Sequence, residues 1–373
     1  MLSCPLILVG GAALRRGPED SEPSGGWPPV SMVVPVGDLT PSARPAMESL
    51  LSQDYPDLEV IFSAQEENPA VRGLAAGLIE GRSNAKLMLS GRAETCSQKN
   101  HNLLAGVKGI RESSGILVFC DSSHIAPAGF VKALVSPIAH GKARVTSGYH
   151  QVEVTDGGLI HAIRAVTVLT LYLTKAFGFL NQPWGGATAI ERKLFQDLDV
   201  IGLWASTVVD DVTLAGRLAQ ARIRTALSSG AWVSTPVGHD TLAGLGEWLT
   251  RQWLFLKFVF PLGWLGAGLH QYWLSALTLY ALLAMVGLPF GWVPLTQGVA
   301  AVLFIMTGSF IALCLRRLHP RPGAPGLWVA ATILSGFMGS WIHMRTLCGW
   351  RLRWQGVTYW VGPGGRVKRI ERI

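Results

Sequence analysis

Three acidic stations in this chain are marked out by where they fall. Asp121 closes an apolar run, Ile116-Leu-Val-Phe-Cys-Asp121, and Asp210 with Asp211 opens the helical pattern Val-Thr-Leu-Ala. Glu66 and Glu67 follow a further apolar run, in Ser63-Ala-Gln-Glu-Glu-Asn-Pro69. A carboxylate at the end of a strand can hold a divalent cation, Mg2+ or Mn2+, or steady a diphosphate beside one. Adjacent carboxylates repel, so one of Asp210 and Asp211 is expected to titrate nearer neutral pH and to act as a general base. Asp210 is expected to cap its helix with its carboxylate, which leaves Asp211 freer for chemistry. Plain capping, or a turn role for Asp121, would account for the same residues without any reaction. Lys99, at a helix start in Gln98-Lys-Asn-His-Asn102, is placed to meet phosphates, and Trp184, Gly185 and Gly186 lie between the two strongest stations. A cation, a base and a held leaving group are what transfer from a nucleotide to a hydroxyl demands.

Elements to position these groups are legible from residue 30 onward. Short apolar runs at 30–36, 58–62, 85–89 and 115–120 alternate with helix-like stretches at 45–53 and 99–113, a pattern that predicts a parallel sheet in an α/β domain. In such sheets ligands collect at the carboxyl ends of strands, where Asp121 stands. Beyond it the pattern predicts a helix at 126–136, a strand at 143–149, an apolar helix at 159–176 and a helix at 212–220. The apolar helix fits equally a buried core element or one lying against a bilayer.

Composition then divides the chain. With 373 residues it exceeds one ordinary core. Residues 1–29 are a short apolar start and a Pro/Gly/Ser linker, read as an anchor remnant rather than a cleaved signal. Residues 30–245 have the mixed character of a water-facing domain. Residues 246–345 are membrane-grade: an interfacial helix at 247–260, spans at 272–289 and 294–315, and a third run at 327–344 that could span, re-enter or lie flat. Residues 346–373 form a basic tail that alternates like a hairpin closed by Pro-Gly-Gly. The net charge of +8 gathers beside the apolar runs, at Arg316, Arg317 and past Arg345. It therefore points to lipid headgroups and orientation rather than to nucleic acid. With the domain cytosolic, two crossings would bring the chain back at Arg316-Arg317, whereas a third would export the basic tail, so two spans and a shallow third element are expected. The five cysteines lack metal-type spacing and read as reduced thiols.

Taken in order, Val30 to Asp38, the acidic turn ending Asn-Pro-Ala70, Lys99-Asn-His-Asn-Leu103, Cys-Asp-Ser122, Gly185-Gly-Ala-Thr-Ala-Ile190 and Asp210-Asp-Val212 resemble a known family. They are similar, across about residues 30–260, to the inverting GT-A glycosyltransferases of the ceramide glucosyltransferase family, and the apolar tail is similar too. The resemblance implies a GT-A (Rossmann-like) domain followed by transmembrane and interfacial helices. It implies transfer of a hexose, glucose foremost, from a UDP-sugar to a membrane lipid hydroxyl such as that of ceramide, diacylglycerol, a sterol or a hopanoid, with a divalent cation. It assigns nucleotide binding to Glu67 or Asn68, support of metal and diphosphate to Asp121, and the base to Asp211. Two departures accompany it: the first station holds Glu-Glu-Asn in place of an aspartate, and the closing Q/R-x-x-R-W motif is not intact. Arg251, Gln252 and Trp253 are its nearest candidates, the arginine for diphosphate and the tryptophan for stacking on sugar. A processive polysaccharide synthase of the same fold and a non-catalytic membrane scaffold are the competing expectations.

Overall fold

The computed structural model describes residues 10–12, 21–153, 158–178, 180–236 and 241–372. The apolar start expected as an anchor remnant lies, residues 10–12 apart, outside the described residues, as do residues 17–20 of the linker.

A seven-stranded sheet is built from β1 (Val30–Val36), β2 (Leu58–Gln65), β3 (Ala85–Ser90), β4 (Ile116–Phe119), β5 (Val145–Val152), β6 (Thr188–Glu191) and β7 (Ala226–Thr235), in the order β3-β2-β1-β4-β6-β5-β7. Pairings β1–β2, β2–β3, β1–β4 and β5–β7 are parallel, and β6 alone runs antiparallel to its neighbours β4 and β5. Val-rich β1 is buried along its whole length, as a strand covered on both faces must be. Around it lie α1 (Ala43–Leu51), α2 (Pro69–Ile79), α3 (Gln98–Lys108), α4 (Phe130–Ala139) and α5 (Leu159–Lys175). The short α6 (Arg192–Asp197) and α7 (Val200–Trp204) precede α8 (Asp211–Gln220).

The strands at the predicted positions are present. Unpredicted are β6, too short to show a period, and β7, whose sequence Ala-Leu-Ser-Ser-Gly-Ala lacks hydrophobic alternation. Helix α2 also went unforeseen, although Asn68 caps it by accepting Val71 N–H at 3.2 Å. The apolar α5 is a packed element: Val166, Leu169 and Leu173 share a core with Trp328 and Ile342 of a later helix.

After α9 (Leu242–Val259) come α10 (Pro261–Gly287), α11 (Leu295–Arg316) and α12 (Pro325–Thr346), each long and apolar enough to cross a membrane. Leu262, Trp273, Val286, Leu295 and Phe310 are more than half exposed on α10 and α11, a cost in water that lipid removes. α12 is different. It is an unbroken helix, which removes the re-entrant alternative, and it is 39% buried against 22% for the other two. Arg321, just before it, meets Glu153 at 2.8 Å. At its far end Lys257 donates to the carbonyls of Thr346, Leu347 and Gly349 at 2.6, 2.7 and 3.1 Å.

The C-terminal residues form a three-stranded antiparallel sheet, β8 (Arg351–Trp354), β9 (Val357–Val361) and β10 (Val367–Arg372). Its hairpin closes at Gln355 and Gly356, with φ of 50° and 73°, as a two-residue turn requires. The expected Pro-Gly-Gly closure is present at the next hairpin, where Pro363–Gly365 joins β9 to the antiparallel β10; the turn at Gln355-Gly356 is the one the sequence did not announce. This sheet docks on the α/β domain. Val208 N–H donates to Gly365 O at 2.9 Å, Val367 N–H to Ser206 O at 2.9 Å, and Gln98 N–H to the Tyr359 hydroxyl at 3.3 Å.

Candidate active site

The carboxyl ends of β1 and β4, the first turns of α3 and α8, and one face of α9 meet around a cleft of about 810 Å³. Lys99, Asp121, Asp210, Asp211, Trp184 and Arg251 all line it, so stations far apart in sequence converge on one space. Beneath them an aromatic cluster fixes the backbone. Phe119 stacks on Phe195 at 5.6 Å and meets Trp204 edge-on at 4.9 Å, while the Trp204 indole N–H donates to Asp210 O at 3.1 Å.

Lys99 is the hub. Its ammonium lies 2.8 Å from Asp121 Oδ1 and 3.1 Å from Asp210 Oδ1. Burial opposes its charge, but Asp121, Asp210 and Asp211 outweigh burial and hold its pKa above the ordinary lysine range. Burial would likewise raise the Asp121 carboxyl, yet Lys99 and then His124 hold it well below the usual range. One ammonium cannot balance three carboxylates. Asp210 carries the excess: burial, opposed by Lys99 and reinforced by Asp211 and Asp121, pushes it up to about 6.

These geometries correct one expectation. Asp210 occupies the N-cap of α8 but makes no side-chain capping bond, because its carboxylate is turned to Lys99. The repulsion within the pair thus raises Asp210, while Asp211 is the one bonded to backbone, accepting Val212 N–H at 2.7 Å and Gly185 N–H at 2.9 Å. Each Asp211 oxygen keeps a second lone pair for other work.

The Gly185-Gly186 pair follows from this crowding. A methyl at Gly185 would collide with Asp210 Oδ2 and stand 2.8 Å from Lys99 Nζ, and one at Gly186 would strike the Trp184 ring. Gly185→Ala is therefore expected to cost about 1–3 kcal/mol as an overpacking change and to lower activity with it. A wild-type thermal midpoint with wild-type turnover would contradict this. Buried Lys175 steadies the same loop, donating to Asn181 Oδ1 at 3.2 Å and to Gln182 O, while Trp184 N–H donates to Ser147 Oγ at 3.1 Å. Burial pulls Lys175 down to about 7, with Asp211 opposing.

A second cavity of about 360 Å³ opens between α5, α9, α10 and α12. Thr167, Trp253, Leu256, Ala267 and His270 line it, and Asp211, Trp184 and Trp248 belong to both cavities. Asp211 thus stands where a polar cleft and an apolar passage among the long helices meet.

Of the predicted residues, Arg251 and Gln252 line the cleft and Trp253 lines only the second cavity. Burial, with the nearby Arg164 adding to it, lowers the pKa of Arg251. Glu66 and Glu67 are not brought in: both are exposed past β2, where Glu67 pairs with Arg92 at 3.4 Å. The sequence reading gave no role to Arg164, His124, His150 or Trp248, all of which line the cleft. Arg164 could have been found as a charge inside a long run of apolar residues, Leu159–Lys175. His150, on a strand, carried no signal.

Among the described residues, no three or more of His, Cys, Asp and Glu gather to hold a metal. A cation bound largely through substrate phosphates needs only one or two protein ligands. Asp121 fits that role, being 27% exposed with Oδ2 turned away from Lys99.

A family model described as glycosyl transferase family 21 matches residues 3–367. Among solved structures, the mannosyltransferase PcManGT from Pyrobaculum calidifontis, in complex with GDP-Man and Mn2+, superposes with a TM-score of 0.52 at 17% identity, over 91% of this chain and 96% of that one. It shares the GT-A fold, a mixed α/β domain with a mainly parallel central sheet. No curated protein matches the chain.

Proposed function

The chain belongs to glycosyl transferase family 21, and from that premise we propose that it is an inverting transferase passing a hexose, glucose foremost, from a UDP-sugar to the hydroxyl of a membrane lipid. The observation that carries this is Asp211 at the junction of the two cavities. The nucleotide sugar lies in the larger one, its diphosphate facing Lys99, Arg251 and Asp121. The lipid hydroxyl arrives from the smaller one, among helices that sit at or in the bilayer. Asp211 takes the hydroxyl proton as the new carbon–oxygen bond forms on the face of the anomeric carbon opposite the diphosphate. The bond to UDP breaks with its electron pair leaving on the phosphate oxygen, so the configuration inverts. Asp121 would hold a divalent cation, which when bound would supply charge neutralisation for the departing diphosphate. Lys99 and Arg251 add hydrogen bonds to the same oxygens.

A cytosolic domain is part of this reading: the loop that carries Arg316 and Arg317 meets the domain through Arg321 and Glu153, and basic loops favour the cytosolic side. The test is direct: membranes carrying the protein are incubated with labelled UDP-glucose, UDP-galactose, UDP-N-acetylglucosamine and GDP-mannose, and the lipid extract is weighed by mass spectrometry. One added hexose per lipid supports the proposal. A ladder of sugars would assign a processive synthase, and calorimetry detecting no nucleotide-sugar binding with Mn2+ would assign a scaffold.

A further inference from the structure

Asp121 is followed by a turn, Ser122-Ser123, that brings His124 back beside it: His124 Nε2 stands 3.7 Å from Asp121 Oδ2. Two donors each about 2.1 Å from one ion can be at most about 4.2 Å apart, so this spacing lies within the reach of a single cation. Both side chains line the cleft, and Lys99 holds the other oxygen, Oδ1.

The imidazole is oriented from behind. Ile125 bridges Ser234 through two hydrogen bonds of 2.8 Å, which sets His124 beside Thr235 at the end of β7. Thr235 Oγ1 lies 2.9 Å from His124 Nδ1 and 2.6 Å from His150 Nδ1. A threonine hydroxyl has one proton to give. With a cation in place of a proton on His124 Nε2, one set of tautomers satisfies every group: His124 Nδ1–H donates to Thr235, and Thr235 donates to His150 Nδ1. The flat stack of His150 on Trp184, at 4.6 Å and 8°, fixes the far end of this relay. Metal-bound histidines are held in the same way, with the second ring nitrogen donating to an oxygen.

We propose that Asp121 and His124 together form the protein's half of a divalent-cation site, with nucleotide diphosphate oxygens completing the shell. The inference rests on the transferase reading above and goes beyond it by assigning a nitrogen ligand. An imidazole favours transition ions over Mg2+, so Mn2+ is bound in preference to Mg2+, and Thr235 is a positioning residue for the ligand.

Pulsed electron paramagnetic resonance of Mn2+ with the full-length protein and UDP, or GDP, reads this directly. A directly bound imidazole gives nitrogen hyperfine coupling, expected in the wild type and absent in His124→Ala. Thr235→Val keeps both ligands, so the coupling is expected to remain while Mn2+ binds about 10–100-fold more weakly. A Mn2+–nucleotide complex that forms without nitrogen coupling, or whose coupling survives in His124→Ala, overturns the assignment and leaves the transferase reading intact. If calorimetry finds that neither nucleotide binds with Mn2+, the transferase reading falls and this inference with it.

Discussion

Asp211→Asn is expected to slow sugar transfer by about 10²–10⁴-fold, the usual worth of a positioned general base, while UDP binding measured by calorimetry stays at the wild-type value. Of the three carboxylates in the cleft, Asp211 alone avoids Lys99 and alone lines both cavities. Asparagine is nearly isosteric and its carbonyl still accepts one of the two backbone N–H groups that Asp211 holds. The loop at Gly185 is thus largely retained, and the loss falls on proton removal. A variant that turns over at the wild-type rate would end the assignment of Asp211 as base.

Lys99→Met carries the second large effect. Removing one member of a buried ion pair typically costs about 3–5 kcal/mol, and here two carboxylates lose the same partner. The pH dependence has a definite sign. Asp121, held low by Lys99, contributes stability above its unfolded pKa that is lost as pH falls through its lower folded value. Without Lys99 that contribution disappears. Asp210, raised to about 6, contributes stability below its unfolded pKa that is lost as pH rises through about 6. Removing the opposing ammonium raises it further. The loss at Asp121 is the same at pH 5 and pH 8, because both lie above its unfolded pKa, whereas the added penalty at Asp210 grows as pH rises through about 6 and beyond. The thermal midpoint is therefore expected to lie below the wild type at both pH values, by more at pH 8 than at pH 5; an equal deficit at both would refute the account. Nucleotide affinity should fall in parallel, since the same ammonium faces the diphosphate.

Much of this arrangement is legible before any coordinates. Asp121 shows itself because five apolar residues, Ile116 to Cys120, precede it, and Asp210 with Asp211 because a helical period begins at once. Strand ends and helix starts are local features, so sequence carries them. What sequence does not carry is partnership across the sheet. Nothing near Lys99 tells which carboxylates it will meet, and that contact, rather than capping, decides how Asp210 behaves. His150 and Thr235 are hidden for the same reason: they become neighbours of His124 only when β5 pairs with β7, a strand whose Ala, Ser and Gly content disguises it. Glu66 and Glu67 show the opposite error. They occupy a strand end, where ligands gather, yet their side chains stay outside the cleft.

The docked C-terminal sheet brings the chain back to where it left: after departing the domain at Val259 it hydrogen-bonds to Ser206 and Val208 again through Gly365 and Val367. For a membrane-seated transferase, as proposed, the consequence is that the crossings between those two points would be even in number although three helices have the length. α12 is the helix that would stay beside the domain, since Arg321 meets Glu153 just before it, Lys257 holds its far end, and Trp328 and Ile342 pack on α5.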